Sequence, residues 1–184
     1  MVGYKIVDVS ILNSSSIKIR FRRAVFVVDP SSEGGKTICD AIVLLNGENS
    51  DLSKVSDYRI VINGPGEYEI SGVKISGISI DNGFVYNIIG DGVAIILGRT
   101  KEISKISAQG GKEFSTECQI AILNADSEFA ESVVTGLESK VVVLYGDNRV
   151  SGAKTMGQKN PNLSKKLTLS KDKLPEGMEV VVLG

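Results

Sequence analysis

Residues 62–70 read Ile-Asn-Gly-Pro-Gly-Glu-Tyr-Glu-Ile, and residues 72–78 continue the chain as Gly-Val-Lys-Ile-Ser-Gly-Ile. Glycine supplies backbone angles that other residues resist, and proline fixes the turn between the apolar runs on either side. Tyr68 can anchor this turn in the core. The stretch therefore predicts a tight turn between β-strands, and we assign its two glutamates no catalytic role.

The surrounding sequence predicts further strands. Residues 17–22 alternate between apolar and cationic side chains, a period of two that places the apolar groups inward. Residues 24–28 and 42–45 are nearly continuous apolar runs, as expected for strands that are covered on both faces. Residues 86–97 are interrupted by Gly90-Asp91-Gly92 and so predict two paired strands.

The second half of the chain contains the clearest parallel unit. Residues 120–123 form one short apolar run, and residues 141–144 form another. Between them, Asp126 or Ser127 can cap a helix whose apolar face continues to Leu137. A strand, a helix and a strand in this order predict a parallel pair with a right-handed crossover.

Polar segments follow these two parallel strands. Any ligand is expected near the carboxyl ends of the strands, at Asn124-Ala125 and at residues 145–147. Residues 147–162 are polar and rich in Gly, Asn and Lys, and we interpret them as a mobile loop. Residues 167–169 and 178–183 are again apolar and predict the closing strands.

The stretch 62–78 and the ending Leu-Pro-Glu-Gly-Met-Glu-Val-Val-Val-Leu at residues 174–183 carry a family resemblance. Together they resemble small bacterial proteins of the metallo-β-lactamase-fold hydrolase superfamily, and the resemblance covers nearly the whole chain. It implies one domain over residues 1–184 with an α+β fold, an αββα sandwich of two mixed β-sheets with reduced outer helices. The family binds one or two metal ions through a His-x-His-x-Asp-His motif, later histidines and a bridging aspartate.

The metal ligands that this resemblance implies are missing, because the sequence contains no histidine. Aligning Ser50-Asp51 with the family's small residue and aspartate leaves only Asp51 with the identity of a ligand. The Asp29-Pro30 pair matches a family pair that closes a turn. The degenerate positions of the former site are Ser14, Asp29, Gly47, Asn49, Asp51, Leu52, Ile96, Arg99 and Gly146.

Arg99 stands where the family has its bridging carboxylate. A guanidinium is permanently charged, so it opposes a dication at that place. We therefore expect Arg99 to pair with Asp29 or Asp51, and we expect the protein to have no catalytic residue, no cofactor and no tightly held zinc, iron or manganese. An oxygen-rich site for Mg²⁺ or Ca²⁺ built from Asp29, Glu48 and Asp51 is the open alternative.

Composition limits the class of protein. The net charge is −1, no stretch approaches the roughly 20 apolar residues that span a bilayer, and the amino terminus lacks the layout of a signal peptide. Cys39 and Cys118 are far apart and form no Cys-x-x-Cys pair, which indicates two buried thiols rather than a disulfide. We expect a cytoplasmic protein that has no contact with membranes.

These observations predict a catalytically inactive relative that acts as a binding or assembly module. The expected partner is a second copy of the chain, or a histidine-complete relative in a heteromer. One alternative is a hydrolase whose metal site is rebuilt or completed by a partner, and another is a nucleic-acid binder. The second alternative depends on two groups of cations, the first at Lys18, Arg20, Arg22 and Arg23, and the other at Arg149, Lys154, Lys159, Lys165, Lys166, Lys171 and Lys173.

Overall fold

Two mixed β-sheets pack face to face in the computed structural model, which describes residues 6–47, 50–108 and 118–184. The strands in chain order are β1 (Ile6–Ile11), β2 (Ile17–Arg20), β3 (Val25–Val28), β4 (Thr37–Ile38), β5 (Ala41–Val43), β6 (Val55–Ser56), β7 (Ile60–Ile62), β8 (Gly66–Ile70), β9 (Val73–Ile80), β10 (Gly83–Gly90), β11 (Val93–Arg99), β12 (Ile120–Asn124), β13 (Val141–Tyr145), β14 (Leu163–Ser164), β15 (Lys166–Ser170) and β16 (Glu179–Leu183). The helices of the described part are α1 (Thr100–Ala108), α2 (Glu131–Thr135) and α3 (Arg149–Thr155).

The smaller of the two main sheets has six strands in the order β15-β1-β2-β3-β5-β7. Its first four strands are antiparallel to their neighbours, whereas β3, β5 and β7 run parallel. The predicted alternation in residues 17–22 is confirmed, because Ile17 and Ile19 are fully buried and Arg20 is exposed.

The larger sheet has eight strands in the order β14-β16-β13-β12-β11-β10-β9-β8. The hairpin between β10 and β11 confirms the two paired strands predicted around Gly90-Asp91-Gly92. The predicted parallel pair is also confirmed, since β12 and β13 run parallel and continue into β16. This arrangement aligns the carboxyl ends of β11, β12, β13 and β16 along one edge.

Three apolar clusters hold these layers together. The main core fills the space between the two sheets, and the second cluster packs α1, α2 and α3 against the outer face of the eight-stranded sheet. The third cluster lies on the outer face of the six-stranded sheet, where the small β4–β6 sheet covers it. The α+β sandwich with reduced outer helices is therefore confirmed, and in the described part the helices cover only one of the two sheets.

The predicted start of the helix after β12 is wrong. The helix begins at Glu131, after Ala130, instead of being capped by Asp126 or Ser127. Asp126 is engaged elsewhere, because its Oδ1 accepts a hydrogen bond of 3.2 Å from the Thr100 hydroxyl at the start of α1. Helix α1 itself was not predicted from the sequence.

The interpretation of residues 147–162 as a loop is wrong for residues 149–155, which form α3. Gly152 allows this polar segment to pack closely against Phe129, since a Cβ at position 152 would lie 2.6 Å from Cε1 of that ring. The neighbouring Ala153 is fully buried in the cluster between the helices and the eight-stranded sheet. Small side chains therefore give this helix a buried face that its polar composition conceals.

Both cysteines are buried and unpaired. Burial raises the pKa of each thiol to about 11, so both are protonated at neutral pH. In the described ranges, no helix combines the length and the apolar character needed to span a membrane.

Candidate functional site

The carboxyl ends of the parallel strands bring several polar side chains to one end of the sandwich. Arg99 ends β11, Asn124 ends β12 and Tyr145 ends β13, and these three residues lie side by side in the register of the sheet. Asp29 follows β3 of the opposite sheet, and its charge acts on the Tyr145 hydroxyl. This end of the sandwich is where a ligand is expected in a parallel sheet of this kind.

Arg99 is held by Glu102, one turn further along in α1. Arg99 Nε lies 2.9 Å from Oε2 of Glu102, and Arg99 Nη2 lies 2.7 Å from Oε1. The two side chains are 16% and 2% exposed, so this two-bond ion pair is largely removed from water. Gly83 leaves room for it, because a Cβ at position 83 would lie 2.7 Å from Arg99 Nη2 and from the Glu102 carboxyl.

The expected partner of Arg99 was therefore wrong. Its direct partner is Glu102, with Asp126 at 3.9 Å, rather than Asp29 or Asp51. Arg99 still acts on Asp29 at longer range, because its charge lowers the pKa of that carboxyl.

Asp29 connects the two parallel strands β3 and β5 beyond their carboxyl ends. Its Oδ1 accepts a hydrogen bond of 2.9 Å from the Leu45 N–H, and its own N–H donates to the Val43 carbonyl at 3.0 Å. Its backbone adopts a positive φ of 43°. Burial raises the pKa of Asp29 to about 7, although the Leu45 hydrogen bond and the Arg99 charge oppose that rise.

The hydroxyl of Tyr145 is fully buried and has no hydrogen-bond partner among the described residues. Burial raises the pKa of this phenol well above its ordinary value, and the nearby charges of Asp29 and Asp126 raise it further. The hydroxyl of Tyr86, in contrast, donates a hydrogen bond of 3.0 Å to the Leu44 carbonyl.

Gly146 is a further degenerate position that the fold brings to this end. It follows Tyr145 with a φ of 94°, and a Cβ there would collide with Oδ1 of the buried Asn124. Any residue with a side chain is therefore disfavoured at position 146 by both backbone strain and lack of space.

Ser14 and Gly47 also lie in segments that border this end. The turn that contains Ser14 contacts the segment after Asp29 through the Asn13–Ser31 hydrogen bond, and Gly47 follows Asn46, which pairs with Gly83 beside Arg99. Ser14 is exposed in the turn between β1 and β2, and Gly47 is exposed after β5. Leu52 packs into the cluster on the outer face of the six-stranded sheet, and Ile96 packs into the cluster beneath the helices. Neither apolar side chain points to the end of the sandwich that carries Arg99. Asn49 and its neighbour Glu48 lie outside the described residues.

Asp51 belongs to a local turn on the surface. Its Oδ1 accepts a hydrogen bond of 2.9 Å from the Ser53 N–H. The hydroxyl and the N–H of Ser53 hold the pKa of Asp51 below its ordinary value. The hydrogen bonds from Ser53 explain the position of the Asp51 carboxylate without a bound metal ion.

The residues present do not fit the metal centre of the family. Within residues 6–47, 50–108 and 118–184, no group of three or more His, Cys, Asp or Glu side chains is placed to hold a metal ion. Zinc sites draw mainly on imidazoles and thiolates, and this chain has no imidazole and two protonated thiols. The carboxylate nearest to Arg99 is already bound by its guanidinium.

Sequence reasoning located part of this site. Asn124 and Tyr145 fall in the two segments where a ligand was expected, but their individual roles were not predicted. Glu102 was missed because α1 was missed, and because Arg99 is the last residue of β11, so the two residues do not lie on one helix face that periodicity would indicate. No signal in the sequence indicates that Asp126 lies close to Arg99.

No protein-family profile matches the sequence, and no curated protein is significantly similar to it. Solved structures are similar in fold. One is a Thermotoga maritima protein assigned to the zinc-dependent hydrolases of the metallo-β-lactamase superfamily, with 17% identity, a TM-score of 0.72, and coverage of 96% of this chain and 98% of that one. Another is Igni18, a metallo hydrolase from Ignicoccus hospitalis, with 12% identity, a TM-score of 0.57, and coverage of 90% and 99%.

A third similar structure is YhfI from Bacillus subtilis, a metallo-β-lactamase-fold protein with 10% identity, a TM-score of 0.55, and coverage of 90% of this chain and 99% of that one. These structures match nearly the full length of both partners in each comparison. They agree with the sandwich of two mixed sheets and with its outer helices. The chain therefore has the metallo-β-lactamase fold.

Proposed function

We propose that this chain is a catalytically inactive protein with the metallo-β-lactamase fold and that it acts through binding or assembly. The observation that carries this proposal is the ion pair between Arg99 and Glu102 at the end of β11. It places a fixed internal cation, with its counter-ion, where the resemblance expects a carboxylate ligand.

The ion pair opposes metal binding for an energetic reason. A metal that used Glu102 would have to separate it from Arg99 and leave the largely buried guanidinium with only the more distant carboxylate of Asp126, at 3.9 Å. Removal of one partner from a buried ion pair costs about 3 to 5 kcal/mol. Without imidazoles, few ligand bonds are available to offset that cost.

A rebuilt carboxylate site receives no support from the described acids. Asp29 has a pKa of about 7 and is therefore about half protonated at neutral pH, and one of its oxygens already accepts the Leu45 N–H. Asp51 is exposed and belongs to its own turn. These two carboxyl groups are therefore poor candidates for Mg²⁺ or Ca²⁺, which require several converging oxygens.

For assembly, we propose that a second copy binds at the free edge of β7. In the part of the chain that the structure describes, β7 has no strand neighbour on its outer side. Residues 37–41 and 55–60 run side by side next to this edge. They expose Ile38, Tyr58 and Ile60 by 64%, 37% and 38%, so an apolar patch adjoins the free edge. A histidine-complete relative could occupy the same edge in a heteromer.

Elemental analysis of untagged protein tests the loss of metal chemistry. The protein is purified without a histidine tag, dialysed against zinc, iron and manganese in turn, and analysed after removal of the excess ion. We expect well under one ion per chain, and the variant Cys39→Ser should give the same result. One tightly held ion per chain would overturn the proposal and favour a rebuilt or partner-completed hydrolase.

A further inference from the structure

Members of two groups of cations that are far apart in the sequence lie on one face of the six-stranded sheet: Lys18 and Arg20 of the first group and Lys166 of the second. Strand β1 lies between β2 and β15 and pairs with both. Ser10 of β1 stands opposite Lys18 of β2 and opposite Lys166 of β15. Asp8 stands opposite Arg20 on the same side of the sheet. The sequence gives no indication of this proximity, because strands β3 to β14 lie between Lys18 and Lys166 along the chain.

All of these polar residues point away from the core. The residues that alternate with them, Val7 and Val9 in β1 and Ile17 and Ile19 in β2, are buried between the sheets. Successive side chains of a strand point to opposite faces, so Asp8, Ser10 and their neighbours opposite lie on the outer face.

This outer face is open. The cluster that covers the rest of the sheet's outer surface gathers on β3 and β5, under β4 and β6. Among the described residues, no helix packs on β15, β1 or β2, since α1, α2 and α3 all belong to the cluster on the other sheet. The face is therefore a broad, uncovered strip three strands wide.

Its charge is positive. Asp8 is the one acid on these strands, and it is neutralised by Lys166, whose Nζ lies 2.9 Å from its Oδ2, and by the Thr168 hydroxyl at 2.7 Å from its Oδ1. Burial would raise the pKa of Asp8, but these two bonds and the charges of Lys166 and Arg20 hold it below its ordinary value.

The other cations on the strip are not paired. Within the described ranges, neither Lys18 nor Arg20 has a carboxylate within salt-bridge distance. Arg22 and Arg23 are exposed in the turn that follows β2, where the Asp91 carboxylate accepts a hydrogen bond of 2.7 Å from the Arg22 N–H. The strip therefore carries uncompensated positive charge, although the whole chain has a net charge of −1.

We propose that the outer face of β15, β1 and β2 binds the sugar-phosphate backbone of a double-stranded nucleic acid. This inference is independent of the proposed function, because it requires neither the loss of metal nor a dimer. Lys18 and Arg20, which form no ion pair within the described ranges, contact phosphates, with Arg22 at the end of the strip. The duplex is the polyanion with the highest density of charge along its axis, so it gains most from a flat array of cations.

The composition of the strip favours a duplex over other acidic partners. Its three strands contain no Phe, Tyr or Trp, so unpaired bases find no aromatic side chain on which to stack. Protein interfaces rely on aromatic anchors and are depleted in lysine, whereas the one large exposed apolar side chain here is Ile6. Phosphate contacts need neither feature, and they predict binding without sequence preference.

Fluorescence anisotropy with a labelled DNA duplex of about 20 base pairs tests this proposal across a range of salt. For two to three phosphate contacts, we expect log affinity to fall with log salt at a slope of about −2, which is a loss of roughly 12- to 40-fold between 50 and 200 mM. Two duplexes of unrelated sequence should bind equally. A single strand of the same length should bind more weakly.

The variant Lys18→Gln/Arg20→Gln identifies the face. It should weaken binding by at least about tenfold at low salt and reduce the slope by about two, since each phosphate contact contributes about one. The control Lys154→Gln/Lys159→Gln removes two exposed cations from another part of the surface and should bind as the parent does. Circular dichroism and urea unfolding establish that each variant is folded.

Three outcomes would overturn the proposal. One is that the parent protein fails to bind the duplex at low salt, and another is that both double variants weaken binding equally. The third is that the parent binds poly-glutamate but not the duplex, which would assign the strip to an acidic protein. A single variant Arg20→Gln supplies a second measurement if the first variant is unstable, because it should lower the slope by about one.

Discussion

The guanidinium of Arg99 meets the carboxylate of Glu102 through two bonds at the end of β11, and the pair is largely shielded from water. A second ion pair of the same helix, between Lys105 and Asp81, has side chains that are 38% and 56% exposed. Both pairs involve α1 but differ in burial, so substitution of one residue in each pair compares a buried ion pair with an exposed one.

We predict that Glu102→Gln lowers the free energy of unfolding by about 2 to 4 kcal/mol, because it leaves the largely buried Arg99 with only the more distant carboxylate of Asp126. Lys105→Gln should change it by less than about 1 kcal/mol, since exposed pairs contribute little. Urea unfolding at constant pH measures both. Equal effects of the two substitutions would show that the buried Arg99–Glu102 pair stabilises the fold no more than the exposed Lys105–Asp81 pair does.

A second prediction concerns Asp29, whose pKa is raised by burial from the ordinary 3.8 of an aspartate to about 7 in the folded protein. The folded state then binds more protons than the unfolded state between these two values, so stability decreases as pH rises from about 4 to 7. The loss amounts to at most about 4 kcal/mol, at 1.4 kcal/mol for each pKa unit.

Asp29→Asn should remove this dependence, because the amide oxygen can still accept the Leu45 N–H but carries no charge. The variant should therefore be more stable than the parent at pH 8 and close to it at pH 5. Asp51→Asn is the control, since hydrogen bonds from Ser53 lower the pKa of Asp51 and give a slope of the opposite sign at lower pH. Urea midpoints from pH 5 to 8 measure the effect, and parallel curves for Asp29→Asn and the parent would contradict it.

Sequence reasoning predicted the sheets better than the site. Strand alternation at residues 17–22 and the parallel unit at 120–144 follow from burial of apolar side chains, which composition and spacing express directly. The partner of Arg99 depends on α1, whose first turn supplies Glu102, and on the missing side chain of Gly83. A packing relationship between distant segments leaves no periodic trace in the sequence.

The start of α2 and the existence of α3 also depend on packing between distant segments, which the sequence pattern does not reveal. Asp126 satisfies the rule for a cap, but it lies beside Thr100 and Arg99 and is used there instead. Helix α3 exists because Gly152 permits a close approach to Phe129, and glycine in a polar segment is ordinarily a sign of a loop. Local preference was overridden by tertiary packing in both places.

A third prediction concerns the two buried tyrosines. Tyr145→Phe should leave the free energy of unfolding unchanged or raise it slightly, because it removes a buried hydroxyl that has no partner among the described residues. Tyr86→Phe should lower it by about 1 kcal/mol, since it removes the hydrogen bond to the Leu44 carbonyl. Urea unfolding compares the two. If Tyr145→Phe costs as much as Tyr86→Phe, the Tyr145 hydroxyl has a bound partner.

The last prediction concerns the proposed homodimer at the β7 edge. A stable interface buries about 1,200 to 2,000 Å² in total, and a charged side chain at its apolar centre is costly to bury. Ile60→Lys should therefore produce a monomer in light scattering at micromolar concentration, where the parent is expected to be a dimer. Ile89→Lys is the matched control, because Ile89 is 41% exposed on β10 of the other sheet and Ile60 is 38% exposed. Dissociation by Ile89→Lys alone would move the interface to that sheet, and a monomeric parent would leave only the heteromer with a histidine-complete relative.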